Sequence, residues 1–339
     1  MNADDGAPDW ATQYETADPL RELERDPYVN AVRLAGRMIP PREWHVPELI
    51  PAGTVTLLSG DGGTGKSLLA MQLAAATATG RHWIGRETLE GSALYLSAED
   101  DMDELHRRFA DVLRAEGLTF ADAGRLTLRS LAGEDALLAT LDRSGGLAPT
   151  LLLRDVEDRL ASDRARLLVL DTLADLFPGN ENDRAQARAF VGLIRGIAIR
   201  RRCAVLMLSH PSVAGMASGT GSSGSTAWNN SVRSRLYFER VVSEGYEPDP
   251  DARRLVLKKS NYARTGNEFG LHWRDGVFAV DVAETGLDRR AASAKAERVF
   301  LKLLALFAEQ GRRVNHAGGQ TYAPTVFASH PQAEGVSKR

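Results

Sequence analysis

Short apolar runs alternate with amphipathic stretches along most of the chain, and this alternation predicts strands and helices in turn. Five runs have the length and composition of strands: "TVTLL" (54–58), "SALYL" (92–96), "RLTLRSL" (125–131), "RLLVL" (166–170), which is expected to be buried on both faces, and "AVLML" (204–208). Helical patterns lie between these runs, as crossovers between parallel strands require. The sequence therefore predicts an α/β fold with a mainly parallel sheet flanked by helices.

Apolar positions three and four residues apart identify the predicted helices. They cover 66–80, a stretch after residue 101, about 150–162 and about 183–201. In the second helix, one apolar face is expected to contain Met102, Leu105, Phe109, Val112 and Leu113.

The pattern changes in the C-terminal third of the chain. "RLYFERV", "RRLVLKKS" and "FGLHWRDGVFAV" predict antiparallel strands, and the last is a hairpin that turns at Asp275-Gly276. A helix over about 286–310 follows, with apolar positions at Val299, Phe300, Leu303, Leu304 and Phe307. We expect an acidic flexible N-terminal arm (1–39), an α/β core (40–284) and a small helical C-terminal extension (285–339).

Composition narrows the class of protein. A chain of 339 residues with 43% hydrophobic residues can form one large α/β domain. No apolar run approaches the ~20 residues that span a bilayer, and the N-terminus has no signal-peptide core. The one cysteine, Cys203, lies in an apolar run, so we expect a buried thiol in a cytoplasmic protein. A net charge of −3 gives no overall basic character for nucleic-acid binding.

The stretch "GDGGTGKS" (60–67) fits the P-loop pattern G-x-x-x-x-G-K-S between a predicted strand and a predicted helix. Glycines let backbone N–H groups surround phosphate oxygens at the positive end of the helix dipole. Lys66 is expected to bridge the β- and γ-phosphates of ATP, and the Ser67 hydroxyl to bind Mg²⁺. The predicted nucleotide-binding residues here are Gly60, Asp61, Gly62, Gly63, Thr64, Gly65, Lys66, Ser67 and Leu68.

The same stretch also fits the dinucleotide-binding pattern G-x-G-x-x-G through Gly60, Gly62 and Gly65. The pair Lys66-Ser67 decides between the two, because a dinucleotide-binding turn has no use for a lysine and a metal-binding hydroxyl there. The sequence therefore predicts a nucleoside triphosphate site.

Two acidic positions follow predicted strands. Asp171 ends "RLLVLD", the place of the metal-side carboxylate in P-loop proteins; an ordinary turn cap is the alternative. Glu99 follows "LYLSA", where an acid is expected beside the P-loop strand and able to polarise an attacking water. Asp100 is the alternative base, although Asp100, Asp101 and Asp103 also suit the start of a helix.

These motifs, in this order, resemble the RecA-like ring ATPases, most closely the RepA-like plasmid helicases and related phage ATPases. The P-loop, "LYLSAED", "LLVLDTLADLF" and "LMLSHPS" carry the resemblance, which covers about residues 40–280. It implies a RecA-like core that hydrolyses ATP with Mg²⁺, and it assigns the water-activating acid to Glu99. It also implies a homo-oligomeric ring, with a hexamer expected, acting on single-stranded DNA. The absence of a long apolar run predicts that no membrane is involved.

The resemblance implies three further roles. His210, directly after "AVLMLS", is expected to sense the γ-phosphate and couple it to a mobile loop. Arg108, with Arg107 as its alternative, matches an arginine near the nucleotide. Arg233, with Arg235 as its alternative, matches a finger inserted into the neighbouring subunit's site.

The arginine segment follows a loop rich in glycine, with Gly219, Gly221 and Gly224, and Trp228 is expected to anchor it by burial. A second element contributed by the neighbour is a lysine-x-arginine-asparagine turn in relatives, which matches "LKKSN" with Lys258 as the lysine. Ser260 stands in the arginine position, and Lys259 is the expected substitute.

The evidence for DNA is weaker than that for ATP. Residues 174–184 contain one arginine and several acids, and residues 211–227 contain no lysine or arginine. The alternative is an ATP-gated assembly or regulatory switch that engages a protein partner; recombinase-like filament formation is a third option. The C-terminal region resembles the start of a winged helix, and a packing helix or an interaction tail are its alternatives.

Overall fold

The structure is a computed structural model that describes residues 28–143, 146–210, 226–243, 246–281, 286–316, 319 and 321–336. The described residues divide into two units, 28–43 and 44–336. The first contains a 3₁₀ turn, Ala31–Leu34, in which the Asn30 side chain accepts a bond from the Val32 N–H. The predicted arm before residue 28 and the glycine-rich loop 211–225 lie outside the described residues.

The strands of the second unit are β1 (Trp44–Val46), β2 (Ile50–Pro51), β3 (Val55–Ser59), β4 (Ala93–Ser97), β5 (Leu126–Ser130), β6 (Ala139–Leu141), β7 (Leu147–Pro149), β8 (Leu167–Asp171), β9 (Ala204–Ser209), β10 (Ser234–Arg240), β11 (Ala252–Ser260), β12 (Glu268–Arg274) and β13 (Val277–Val280). The helices are α1 (Lys66–Thr79), α2 (Met102–Ala115), α3 (Leu151–Ser162), α4 (Leu173–Leu176), α5 (Arg184–Arg201), α6 (Thr226–Ser231), α7 (Gly286–Glu309) and α8 (Ala323–Ala328). All five strands and four helices predicted for the core are present, with ends shifted by one or two residues.

Nine strands of the described chain form one sheet in the order β13-β12-β11-β10-β3-β9-β8-β4-β5. From β10 to β5 all neighbours are parallel, whereas β10 to β13 are antiparallel. This confirms a mainly parallel sheet with antiparallel strands at the C-terminal end. It is the arrangement of a RecA-like α/β core.

The strand that Glu99 follows is not a neighbour of the P-loop strand. Glu99 was expected beside the P-loop strand, but β9 and β8 lie between β4 and β3, and β3 is flanked by β9 and β10. Helical crossovers can pass over several strand positions, so strands far apart in sequence insert between consecutive ones. As a result, the functional groups come from four strand ends rather than from one adjacent pair.

Apolar clusters cover both faces of the sheet. On one face α1 and α2 pack through residues that include Leu69, Leu73, Leu105 and Phe109; on the other α3 and α5 pack through Leu153, Leu160, Phe190 and Ile194. The α2 stripe is buried as predicted except for Met102, which is half exposed because it is the first residue of the helix.

Helix ends follow from local chemistry. Asp101 caps α2 by accepting from the Glu104 N–H, and Asp183 caps α5 by accepting from Ala185 and Gln186. Gly80 ends α1 in the left-handed conformation and returns its N–H to the Ala76 carbonyl. Asp101 therefore has the helix-start role considered for it.

The C-terminal helices α7 and α8 share a small apolar cluster of their own, with Val299, Leu303 and Phe307 buried against Ala323 and Phe327. Phe300 and Leu304, also predicted on the apolar face of α7, are more than a third exposed. Within the described residues, no helix is both long and apolar enough to cross a membrane.

Candidate functional site

The P-loop wraps the start of α1. Gly65 precedes the helix with φ of 92°, a conformation that side chains rarely adopt, and a Cβ there would lie 2.6 Å from the Phe278 ring. At Gly60 a Cβ would lie 2.1 Å from the Phe238 carbonyl oxygen. No side chain caps α1, so the N–H groups of Lys66, Ser67 and Leu68 are available to phosphate oxygens.

The Lys66 ammonium is held inside this loop. Its side chain is mostly buried, and Nζ donates to the Gly60 carbonyl at 2.7 Å and the Asp61 carbonyl at 2.9 Å. Burial lowers the Lys66 pKa to about 8, against the opposing effect of Asp171, Glu99 and Asp61. A bound phosphate chain would replace the carbonyls as the partner of this ammonium.

Asp171 ends β8 and is 1% exposed. Its Oδ2 accepts a bond of 2.6 Å from the Tyr95 hydroxyl on β4, whereas Oδ1 is buried with no partner among the described residues. Burial raises the Asp171 pKa to about 6; hydrogen bonding from Tyr95 and Ser67 opposes this, and Glu99 adds to it. Tyr95 was not predicted as a site residue, because a single tyrosine in an apolar strand is expected to be a buried packing residue.

The donor set suits a hydrated Mg²⁺ ion. Asp171 Oδ1 is an acceptor that lacks a partner, and the Ser67 hydroxyl is close enough to lower the Asp171 pKa. Oxygen atoms of a carboxylate, a hydroxyl, phosphates and water are the ligands that Mg²⁺ prefers. Ser67 and Asp171 would therefore hold the ion together with the phosphates of a nucleotide.

Glu99 and Asp100 have different surroundings. Asp100 pairs with the Arg108 guanidinium, and its N–H donates to the Ser97 hydroxyl at 2.9 Å. Glu99 is exposed, and its negative charge raises the pKa values of Lys66, Asp171 and His210, so it lies within electrostatic range of these three groups. Of the two acids, the geometry favours Glu99 for contact with water.

The two arginines of α2 also differ. Arg108 binds Asp100 and lies 3.7 Å from Glu104, and its charge lowers the Tyr95 pKa. Arg107 is two-thirds exposed and pairs with Glu104. Arg108 is thus the arginine nearer to the metal-side carboxylate.

His210 lies directly after β9, next to the P-loop strand. Its Nδ1 is 3.4 Å from the Lys66 ammonium. Partial desolvation, followed by the charge of Lys66, lowers the His210 pKa. The side chain predicted to sense the γ-phosphate therefore lies against the lysine expected to bind that phosphate.

Two residues that were not predicted from the sequence, Tyr237 and Arg253, support the outer side of the P-loop. The Tyr237 hydroxyl donates to Asp61 Oδ1 at 3.2 Å, and Arg253 Nε donates to the Thr64 carbonyl at 3.2 Å. Tyr237 is on β10, which pairs in parallel with β3, and Arg253 is on the antiparallel strand β11; neither strand is part of the P-loop motif.

Arg233 and Arg235 lie at the start of β10. Arg235 is buried, and its guanidinium donates to Asn229 Oδ1 at 3.2 Å. Arg233 is half-buried, and within the described chain its guanidinium forms no hydrogen bond or ion pair. This difference favours Arg233 as the arginine available to another molecule. Trp228 is fully buried against Phe177, which confirms its predicted burial.

Lys258 and Lys259 also differ in exposure and in hydrogen bonding. Lys258 is exposed, with its ammonium 5.6 Å from the Tyr237 ring centroid. Lys259 Nζ donates to the carbonyls of Asn229, Asn230 and Val232 at 2.7, 3.2 and 2.9 Å. All three ammonium hydrogens are thus used within the subunit, which argues against the predicted nucleotide contact of Lys259.

The parallel sheet, the P-loop at its carboxyl edge and the buried Asp171 define a P-loop ATPase of the RecA-like class. A sequence model of the family described as AAA domain matches residues 17–216, and the chain belongs to that family. The prediction of a RecA-like ATPase is confirmed at this level, and the narrower likeness to plasmid helicases stays a prediction.

Among solved structures, the chain is similar to a KaiC-like protein from the hyperthermophilic archaeon Pyrococcus horikoshii. The two share 15% identity with a TM-score of 0.49, and the match covers 72% of this chain and 99% of the other.

Proposed function

We propose that the protein is a Mg²⁺-dependent ATPase that works as a homo-oligomeric ring on single-stranded DNA. The observation that carries the ATPase chemistry is the convergence of Lys66, Asp171, Glu99 and His210 at the carboxyl ends of β3, β8, β4 and β9. Lys66 and the N–H groups of the P-loop would bind the phosphates. Glu99 would accept the proton of the attacking water.

The position of Arg233 supports a site shared between subunits. Its N–H donates to the Val55 carbonyl at the amino end of β3, whereas the P-loop follows the carboxyl end of that strand. Five strand residues span roughly 16 Å, further than an arginine side chain reaches. Arg233 therefore acts on a neighbour's nucleotide rather than on its own. Exposed Lys258 is the candidate for a second cation contributed in this way.

DNA binding rests on a different surface. Arg184 and Arg188 are exposed one turn apart at the start of α5, directly after residues 174–183. Asp183 caps α5, and Asp175 accepts from the Thr172 hydroxyl. Two acidic side chains of this loop are therefore hydrogen-bonded to nearby groups of the same subunit. Paired guanidinium groups favour a phosphate backbone.

A switch that binds a protein partner is the second candidate. The observation that favours it is the exposure of the apolar side chains Val32, Leu34, Met38 and Ile39 in the first unit. Such a segment suits a protein surface rather than a polyanion.

The test is the ATP hydrolysis rate as a function of protein concentration, with and without single-stranded DNA. The proposal expects a cooperative rise with concentration, stimulation by DNA, and loss of activity in Lys66→Ala and Arg233→Ala, by about 100-fold or more for the finger. Concentration-independent hydrolysis, no response to DNA and a normal rate in Arg233→Ala would instead support the switch.

A further inference from the structure

The short helix α6 leads directly into the arginine segment and is fastened at its C-terminal end. Helix carbonyls at this end have no partner within the helix, and they carry partial negative charge. Lys259, on β11, places its ammonium on the carbonyls of Asn229, Asn230 and Val232. The last of these carbonyls belongs to the residue immediately before Arg233.

The backbone of Arg233 is held on both sides as well. Its N–H donates to the Val55 carbonyl at 3.2 Å, and its carbonyl accepts from the Asn261 N–H at 3.0 Å. Upstream, Trp228 Nε1 donates to the Glu181 carbonyl at 2.9 Å, with the ring buried between Phe177 and Phe190. The main chain at Arg233 is therefore fixed by hydrogen bonds on both sides, whereas its guanidinium forms no hydrogen bond or ion pair within the described chain.

Placing the Lys259 ammonium near Arg233 and Arg235 is electrostatically unfavourable, so apolar packing alone does not explain a lysine at this position. Lys259 is partly desolvated and lies near two other cations, so its pKa is lowered, by burial first and then by Arg233 and Arg235. Three cations in one small region repel each other, and a neutral side chain would avoid that repulsion. Among the described residues, the carbonyls of Asn229, Asn230 and Val232 accept from Lys259, and Asn229 Oδ1 accepts from Arg235.

From this geometry we propose that Lys259 is a positioning residue: it fixes the C-terminal end of α6 so that Arg233 is presented to the nucleotide of the neighbouring subunit. The inference rests on the proposed function, in which Arg233 is the finger. It replaces the expectation that Lys259 itself touches the nucleotide. A displacement of about 1 Å in a transition-state contact costs on the order of 100-fold in rate, so the position of the finger matters.

A double-mutant cycle tests this role. Lys259→Met, Arg233→Ala and the double variant are compared in kcat and KM for ATP at saturating subunit concentration. If Lys259 acts only through Arg233, Lys259→Met lowers kcat by about 10- to 100-fold with KM unchanged, and the double variant is no slower than Arg233→Ala. Lys259→Arg, which keeps the charge and several donors, should restore part of the rate.

The control is Lys302→Met, which removes a half-exposed lysine from α7 and should leave kcat and KM unchanged. Melting temperatures of all variants separate loss of fold from loss of rate; if Lys259→Met is unfolded, Lys259→Gln, a polar side chain without the charge, takes its place in the cycle. If the fold-losses in kcat of the two single variants multiply in the double variant, or if Lys259→Met raises KM, the positioning role is overturned. A normal rate in Lys259→Met beside a slow Arg233→Ala would also overturn it and leave the finger intact. A normal rate in Arg233→Ala would instead remove the proposed function.

Discussion

At the scale of single residues, the contact between Tyr95 and Asp171 determines how the metal-side carboxylate is presented. The Tyr95 hydroxyl donates to Oδ2, whereas Oδ1 has no partner in the described chain and would accept from a metal-bound water or bind the ion itself. A buried carboxylate with one oxygen fixed cannot rotate without losing a short hydrogen bond. Groups that orient metal ligands in this way typically contribute 10- to 100-fold to metal affinity.

We therefore expect Tyr95→Phe to raise the Mg²⁺ concentration for half-maximal ATP hydrolysis by about tenfold. The phenyl ring keeps the edge contact with Phe109, so the fold should persist. Titrating Mg²⁺ at fixed ATP measures the effect, and Tyr246→Phe, which removes an exposed hydroxyl, is the control. An unchanged Mg²⁺ requirement would show that Asp171 does not need this hydroxyl.

The residues found from the sequence are those whose chemistry depends on neighbours in the chain. The spacing of Gly60, Gly65 and Lys66 identifies the P-loop, because one turn must surround one phosphate group. Tyr95 and Lys259 act on groups 76 and about 30 residues away. Their roles depend on the order and register of strands, which spacing along the chain does not contain.

At the scale of elements, local sequence predicts the hairpin of β12 and β13 but not the shortest strands. The hairpin turn at Asp275-Gly276 was predicted correctly, because Asp-Gly suits the left-handed positions found there. Strands β1, β2, β6 and β7 were not predicted; each has two or three residues, too few for a periodic pattern. Their pairing follows from contacts that form only in the folded core.

The hairpin also predicts a pH dependence of stability. His272 on β12 pairs with Asp281 and, at 2.9 Å, with Asp249, and these bonds raise the His272 pKa, Asp281 more than Asp249. A raised folded pKa stabilises the protein below the unfolded pKa of about 6.5, and this stabilisation is lost as pH rises through the folded value. Both carboxylates are over 40% exposed, so screening keeps the effect small.

Melting curves of the wild type and His272→Asn between pH 5.5 and pH 8.5 measure this effect. The wild type should exceed the variant in melting temperature by about 1–2 °C at the acidic end, and the gap should close at the basic end. His316→Asn, at an exposed histidine, should show no such trend. A gap that widens with rising pH would contradict the ion-pair assignment.

At the scale of the whole molecule, the sheet separates the two groups proposed to act on one phosphate. The P-loop lies at the carboxyl edge of β3 and Arg233 at its amino end, so the proposed finger is too far from the P-loop of its own subunit to contact the phosphates there. The sequence predicts both groups but not this separation, because the insertion of β9 and β10 beside β3 is set by crossovers. An interface of this head-to-tail kind closes into a ring when the rotation allows.

Mixed oligomers test the separation. Lys66→Ala abolishes nucleotide binding but keeps its finger, whereas Arg233→Ala keeps the nucleotide site and loses the finger. Each should be nearly inactive alone, and an equimolar mixture should recover activity, since about a quarter of randomly formed interfaces combine an intact site with an intact finger.

The control mixture pairs Lys66→Ala with Glu99→Gln. Glu99 and Lys66 serve the nucleotide of their own subunit, so every interface in this mixture has a damaged site and no activity should return. Recovery in the first mixture only would place Arg233 across the subunit boundary. If neither mixture hydrolyses ATP, although a fluorescent label shows that subunits exchange, Arg233 does not complete a neighbour's site. This conclusion holds even if Arg233→Ala alone lowers the rate.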